Sequence, residues 1–431
     1  MKKVPALAAA LFAAPFAISA QQPPPVPPPS AASAPTAHVS LDEAIRLALQ
    51  HNHALQAARS TILQSQSLET TANLRPNPVL TLDAQFLPIF QPSQFSSDYI
   101  DNNAQFDAGI GYLFERGKKR QHRLQAARDV TSVVRSQVTD SERQLAFNVG
   151  QQFIAVLLAE SSLNFAQQDL DSFQKTVEVS NERYRVGGIS EGDFLKIKLQ
   201  LLQFQTDVSA ARLAKIQALA ALRQLLGFES VPDGYDVEGN LEYQPLKAGL
   251  DDLKALALRS RPDLIAAQQG ITAARSQELL AQANGKRDFS LTFNYTHTAG
   301  LNTGAFFFNM DLPVFDRNQG EIARTRYVIT QAQEQASEAS EQVLTDVADA
   351  YENLRTNDQI IQLYQGGYVD QAKQSRDISE YAYKRGAASL LDYLDAERTY
   401  RSNQLAYRQA LAGYMLALEQ MRQAVGTRNL P

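Results

Sequence analysis

The stretch Tyr184-Arg185-Val186-Gly187-Gly188-Ile189-Ser190-Glu191-Gly192-Asp193-Phe194-Leu195 returns 199 residues later as Tyr383-Lys384-Arg385-Gly386-Ala387-Ala388-Ser389-Leu390-Leu391-Asp392-Tyr393-Leu394. Five of the twelve positions are identical, and Phe194/Tyr393 and Arg185/Lys384 keep their chemistry. Each copy reads as a helix reversal. Gly187, Gly188 and Gly386 tolerate the positive φ that ends one helix. Ser190 and Ser389 cap the next, and Asp193 and Asp392 put negative charge in its first turn, where the helix dipole favours it. Capping alone is a sufficient account of Asp193. The offset holds as far as Gly227 and Gly426, which close the helices that follow. Upstream, Ala48, Leu49, Leu55, Ala57 and Ala58 recur as Ala257, Leu258, Leu264, Ala266 and Ala267 at an offset of 209. The chain is a tandem duplication, each half reading helix, strand pair, long helix, turn, long helix.

This repeat sets the boundaries. A first repeat spans 39–227, a joining segment 228–249 holds the turn-like VPDG and the short DVEGNLEY run, a second repeat spans 250–427, and 428–431 is a tail. Ahead of them, Lys2 and Lys3 precede an apolar run from Val4 to Ile18 closed by Ser19-Ala20, so residues 1–20 read as a secretory signal peptide. Residues 21–38 are a Pro-rich flexible leader. The chain has no Cys, which excludes a disulfide scaffold, a thiol catalyst and a lipid anchor on Cys.

Proline is missing between Ser93 and Val231 and between Val314 and Leu430, leaving room for two long helical territories. Gly117 to Tyr184, interrupted only by Gly150, would make a rod of roughly 100 Å. Within it Leu145, Val149, Gln152, Val156, Ala159, Leu163, Ala166, Leu170, Phe173, Val177, Ser180 and Tyr184 alternate steps of four and three, a coiled-coil seam. Leu344, Val347, Tyr351, Leu354 and Ile361 keep the same spacing, interrupted by Asp358.

Four segments alternate with period two: strands are expected near 79–87, 106–114, 289–297 and 306–314. Leu80, Leu82, Ala84 and Phe86 oppose Thr81, Asp83 and Gln85; Phe289, Leu291, Phe293 and Tyr295 oppose Ser290, Thr292 and Asn294. Strands of about nine residues, tilted, match the apolar band of an outer-membrane barrel. The expected fold is mainly α with a transmembrane β-barrel. Four strands cannot close one, and open edges are not tolerated in lipid, so copies of the chain must pool strands. Long turns at 88–105 and 298–304 would form the outer loops. After residue 20 no apolar run is long enough for a spanning helix, which excludes a polytopic helical transporter.

A formal charge of −5 without a basic block argues against nucleic acid as partner. No nucleotide-binding loop is present; Gly109-Ile-Gly111 is a fragment better explained by small residues facing a lumen. No Ser/His/Asp or paired-carboxylate motif suggests an enzyme. His51-Asn-His53 is the one close histidine pair, and i, i+2 on a helix point apart; Met310, Met415 and Met421 form no cluster. Neither a metal site nor a cofactor is expected.

LDEAIRLALQHNHALQAAR at 41–59, LRPNPVLTL at 74–82, the two reversal motifs and Leu312-Pro-Val-Phe-Asp-Arg-Asn-Gln-Gly320 together resemble the TolC-like outer-membrane efflux family over residues 39–427. The last string resembles its heavy-metal branch. The resemblance implies a homotrimer whose twelve pooled strands form one barrel in outer-membrane lipid, continued by an α-helical periplasmic tunnel. It implies a periplasmic adaptor and a proton-driven inner-membrane pump as partners, the chain itself being a passive conduit for heavy-metal cations or for organic compounds.

By position, Tyr383, Asp392 and Asp395 match the residues that constrict the periplasmic entrance, with Asp193 in the equivalent place of the first repeat. The turns Gly187, Gly188, Ile189, Ser190 and Gly386, Ala387, Ala388, Ser389 match the tips that meet the adaptor. Where the family offers an arginine linking helices, this chain has Ala388, with Arg385, Lys384 and Arg185 nearby as substitutes. A reading of a different class is a periplasmic coiled-coil scaffold or adaptor without a pore, which the four amphipathic strands oppose. Heat-modifiable outer-membrane trimers would mark the conduit and a soluble periplasmic species the scaffold.

Overall fold

The computed structural model describes residues 37–431; the expected signal peptide and nearly all of the Pro-rich leader lie outside the described residues. The chain runs β1 (His38–Val39), α1 (Leu41–His51), α2 (His53–Ala72), β2 (Val79–Gln85), α3 (Ser97–Asn103), β3 (Gln105–Phe114), α4 (Lys119–Arg185) and α5 (Glu191–Leu226). It continues with β4 (Asp236–Val237), α6 (Leu250–Ser260), α7 (Pro262–Asn284), β5 (Phe289–Thr298), β6 (Leu301–Met310), α8 (Gln319–Leu363), α9 (Val369–Lys384) and α10 (Leu390–Val425).

The duplication extends to individual contacts. Asn52 breaks the helix between α1 and α2, caps Leu55 N–H at 3.0 Å and donates to Leu225 O at 3.0 Å. Its counterpart Arg261, between α6 and α7, donates to Ala424 O at 3.0 Å and pairs with Asp346 at 2.9 Å. Gly227 and Gly426 both have positive φ, where a Cβ would strike His51 O at 2.9 Å and Ser260 O at 3.2 Å. Each glycine therefore lets the end of a long helix lie directly on the break between two short ones.

α4 is a single 67-residue helix that passes through Gly150 without a break. A Cβ there would lie 3.0 Å from the Glu419 carboxylate of α10, so this glycine serves close helix approach. The second territory is interrupted instead. Tyr364–Tyr368 forms a π turn with Gly367 at φ 100°, separating α8 from α9. Two apolar cores lie where short and long helices meet, one around Val149, Phe153 and Leu222, the other around Val347, Tyr414 and Met421. A third, around Phe173, Phe204 and Tyr393, holds α4, α5, α9 and α10 together near the reversals.

Four strands form an antiparallel sheet of order β2-β3-β5-β6, with β2 and β6 as unpaired edges. The last strand differs from the expectation of 306–314: β6 starts at Leu301 and ends at Met310, and residues 298–304 are not a long loop. The cause is a two-residue turn, Ala299-Gly300, with φ of 49° and 71°, which matches the twist of a hairpin and brings β6 back at once. Pro313, lacking an N–H, lies in the loop that follows, and Leu312 and Val314 are exposed there rather than in the sheet.

Candidate functional site

The two reversals are built alike. Gly187 (φ 76°) and Gly386 (φ 77°) leave the helix in the left-handed region, and Gly188 N–H and Ala387 N–H return to Arg183 O at 2.7 Å and Ala382 O at 2.8 Å. Ser190 Oγ accepts from Asp193 N–H at 3.1 Å; Ser389 Oγ accepts from Asp392 N–H at 3.2 Å, and Ser389 N–H donates to Asp392 Oδ2 at 3.2 Å, a complete capping box. The Ser190 hydroxyl beside the Asp193 carboxyl, and then Lys196 at 3.3 Å, hold that carboxyl below its ordinary range. Asp392 and Asp395 are exposed on α10, and Asp395 pairs with Arg398 at 2.6 Å.

Tyr383 sits elsewhere. It is 3% exposed, its ring 5.5 Å from Tyr393 and its hydroxyl 3.3 Å from Ser180 Oγ. Tyr393 stacks in turn near Phe173 at 6.4 Å, and Phe173 on Phe204 at 4.4 Å. One aromatic from each of α9, α10, α4 and α5 thus forms a continuous column. Across the repeats, Arg183 donates to Tyr383 O at 2.6 Å and lies 5.1 Å above its ring. This is a link between helices of the two repeats that Ala388 cannot make. The basic residues near Ala388 stay local: Arg185 bonds Glu182, Lys384 bonds Glu380 and Arg385 covers Tyr381. Arg183 was not singled out from sequence; its place one turn before Gly187, facing the other reversal, was the available signal.

Behind the column lies a buried ionic cluster that no local motif announces. Asp169 of α4 and Glu397 of α10 are each 4% exposed. Arg401 Nε lies 2.7 Å from Asp169 Oδ2, its guanidinium also pairs with Asp207 of α5, and it covers the Phe204 ring at 4.2 Å. Arg376 of α9 lies over Tyr400 at 4.5 Å and only 3.9 Å from Glu397 Oε2. Burial, and then the neighbouring Asp169 charge, pushes the Glu397 carboxyl up to about 8. Burial also raises Asp169, against the pull of Arg401. Among the described residues Glu397 Oε2 and Asp169 Oδ2 find no hydrogen-bond partner, so the two carboxyl groups lie buried side by side with only the ion pairs to Arg376 and Arg401. The cluster joins α4, α5, α9 and α10 by charge at a point where they already meet by packing.

At the other end the sheet has two unlike faces. Leu80, Leu82, Ile110, Phe293, Phe306 and Phe308 are exposed on one. The opposite face carries Asp83, Asp107, Asn294 and Thr296; Asp107 accepts from Asn294 at 3.0 Å and from Gln105 at 2.7 Å. Gly109 and Gly111 lie there against Asn294 and Thr292, where a Cβ would come within 2.8 Å. His51 and His53 are exposed, and among the described residues no group of three His, Asp or Glu side chains is arranged to hold a metal ion. Among the described residues no helix is long and apolar enough to cross a membrane.

The chain is similar to the cobalt-zinc-cadmium resistance protein CzcC of Cupriavidus metallidurans, 22% identical over 86% of this chain and 85% of that protein. It is likewise 22% identical to the outer membrane protein TolC of Escherichia coli, over 88% of this chain and 83% of TolC. Its fold matches the crystal structure of the open state of the Neisseria gonorrhoeae MtrE outer membrane channel, with a TM-score of 0.72 at 20% identity, covering 90% of this chain and 89% of that one. The outer membrane efflux protein family matches residues 44–228 and 253–427, one segment in each repeat. The chain therefore belongs to the outer membrane efflux proteins, which are channels of the outer membrane and not enzymes.

Proposed function

We propose that three copies of this chain pool their strands into one twelve-stranded barrel, and that their long helices continue it as a periplasmic tunnel. The sheet carries this reading: its apolar face is exposed, its polar face is opposite, and both edges are unpaired, an arrangement stable in lipid only when closed by other copies. The helices support it independently. On α5, Leu195, Leu199, Leu202, Leu213 and Ile216 are exposed along a line of heptad spacing, an apolar seam that a neighbouring copy would cover.

The reversals then meet a periplasmic adaptor, through Gly187 to Ser190 and Gly386 to Ser389, and a proton-driven inner-membrane pump supplies the energy. Heavy-metal cations are the proposed cargo, supported by the likeness to CzcC and by the junction string 312–320. Bulky substitutions at Gly188 and Ala387 are expected to abolish metal export from cells while trimers and single-channel conductance persist. Export at the normal level rejects the adaptor contact.

Asp392 and Asp395, three times repeated around the axis with Asp193 beside them, form the gate, drawing cations and repelling anions. Tyr383 contributes from inside the protomer, holding α9 against α10 beneath those carboxylates. Planar-bilayer recording of Asp392→Asn with Asp395→Asn tests this. Asparagine preserves much of the cap, so a lost cation preference and a raised conductance report the charge alone. Unchanged selectivity and conductance sink the assignment.

A further inference from the structure

The level at which strands hand over to helices holds a cavity of 280 Å³ between Arg75 and Pro76, ahead of β2, the end of β3, and the start of α4. Its walls are of two kinds. Tyr112, Leu113 and Phe114 supply one side, and Arg75, Lys118 and Arg120 the other. The aromatic side belongs to a row across three strands: Tyr112 meets Phe114 edge-on at 4.9 Å, Phe114 stacks on Phe289 at 5.0 Å, and Phe289 on Phe308 at 5.4 Å. Such rows mark the water–lipid boundary of membrane strands.

The cations beside it are left over from local pairing. Lys119 is neutralised by Asp288 at 2.7 Å, and Glu115, the one carboxylate on the cavity lining, is taken by Arg123. Among the described residues no carboxylate comes within ion-pair distance of Arg75, Lys118 or Arg120. Arg120 bonds only to neutral oxygens of Asn73, at 3.3 and 3.4 Å, which keeps its guanidinium on the loop that carries Arg75. Three uncompensated positive charges and a bank of aromatic carbon thus face the same space.

We propose that this cavity binds the headgroup of an anionic glycerophospholipid. The phosphodiester sits among Arg75, Lys118 and Arg120, where guanidinium geometry suits paired phosphate oxygens, and the acyl chains run along Tyr112 and Phe114. A free phosphate would use the cations and waste the aromatic wall. The proposal rests on the reading that the sheet is set in the outer membrane, and it adds that the protomer selects lipid at the helix side of that membrane.

Native mass spectrometry of the full-length, detergent-solubilised protein, titrated with dioleoyl-phosphatidylglycerol or dioleoyl-phosphatidylcholine, tests it. The wild type retains phosphatidylglycerol in preference. Arg75→Gln/Lys118→Gln/Arg120→Gln binds it on the order of a hundredfold more weakly and loses the preference. Arg75→Gln alone, at an exposed side chain, weakens binding by about fivefold and guards against a misfolded triple variant. Arg355→Gln, on distant α8, leaves retention unchanged. Equal retention of the two lipids by the wild type overturns the proposal, as does full retention by the triple variant or complete displacement of the lipid by equimolar glycerol phosphate. Planar-bilayer conductance of the same preparations separates the two layers of the argument. Conductance without lipid preference rejects the headgroup site alone, whereas absence of conductance and of trimers rejects the membrane reading beneath it.

Discussion

Replacing Arg401 by alanine destabilises the reversal end of the helices by about 3–5 kcal/mol, the usual cost of stranding a buried charge. Among the described residues Arg401 is the one cation in ion-pair contact with Asp169, which is 4% exposed, and it also ties in Asp207. Truncation leaves the Asp169 carboxylate inside with Glu397 for company and uncovers the face of Phe204. Hydrogen exchange should show α5 and α10 opening around Phe204 and Arg401 while the core around Val347 and Met421 stays protected. Unchanged protection near Phe204 contradicts the role given to the cluster. The wild type carries a matching pH signature. Glu397 keeps its proton up to about 8 when folded and only to the ordinary 4.5 when unfolded. The folded chain binds more protons between those values, so stability falls as pH rises through that window. Glu397→Gln flattens the fall, and thermal melts between pH 5 and 8 read it.

Phe173→Ala is expected to cost a similar 3–5 kcal/mol, because it removes the central ring of the column from α4 and leaves a void between Tyr393 and Phe204. Chemical denaturation followed by tyrosine environment gives the value; a loss below about 1 kcal/mol means the rings close over the gap. Phe204 touches both Phe173 and Arg401, so the two substitutions together should cost less than their sum. Strict additivity would show that packing and charge hold the four helices separately.

Much of the helix-rich plan is legible because it is written locally and twice. Glycine, serine and aspartate mark both reversals, heptad steps mark the long helices, and period-two alternation marks amphipathic strands. The unread parts depend on one or two residues against a strong background. Ala299-Gly300 turns β5 into β6 without the Asn-Gly or Asp-Gly signature of such turns, and the alternation of Leu312 and Val314 falsely extends the strand past Met310. Gly366 and Gly367 break the second long helix where the heptads around them argue for continuity. Tyr383 matches by position an aromatic of the entrance, but its packing against Ser180 and Arg183 has no sequence signal, because those neighbours come from the other repeat. Asp169, Arg376, Glu397 and Arg401 are joined across the fold, and residues so far apart in sequence carry no spacing signal.

The offsets between the repeats carry a consequence for symmetry. They shrink from 209 at the first helices to 200 at the left-handed pair Lys118 and Asn318, and to 199 at the reversals. The shortfall arises between the strands: β2 and β3 are joined by residues 86–104, which include α3, whereas β5 and β6 are joined by Ala299 and Gly300 alone. Three copies about one axis would therefore present six near-equivalent hairpins at the helical end and, at the far rim, three long arms alternating with three tight turns. Such a trimer would be pseudo-sixfold at the reversals and strictly threefold at the rim, so a ligand at the rim would meet half as many equal sites as a ligand at the tips.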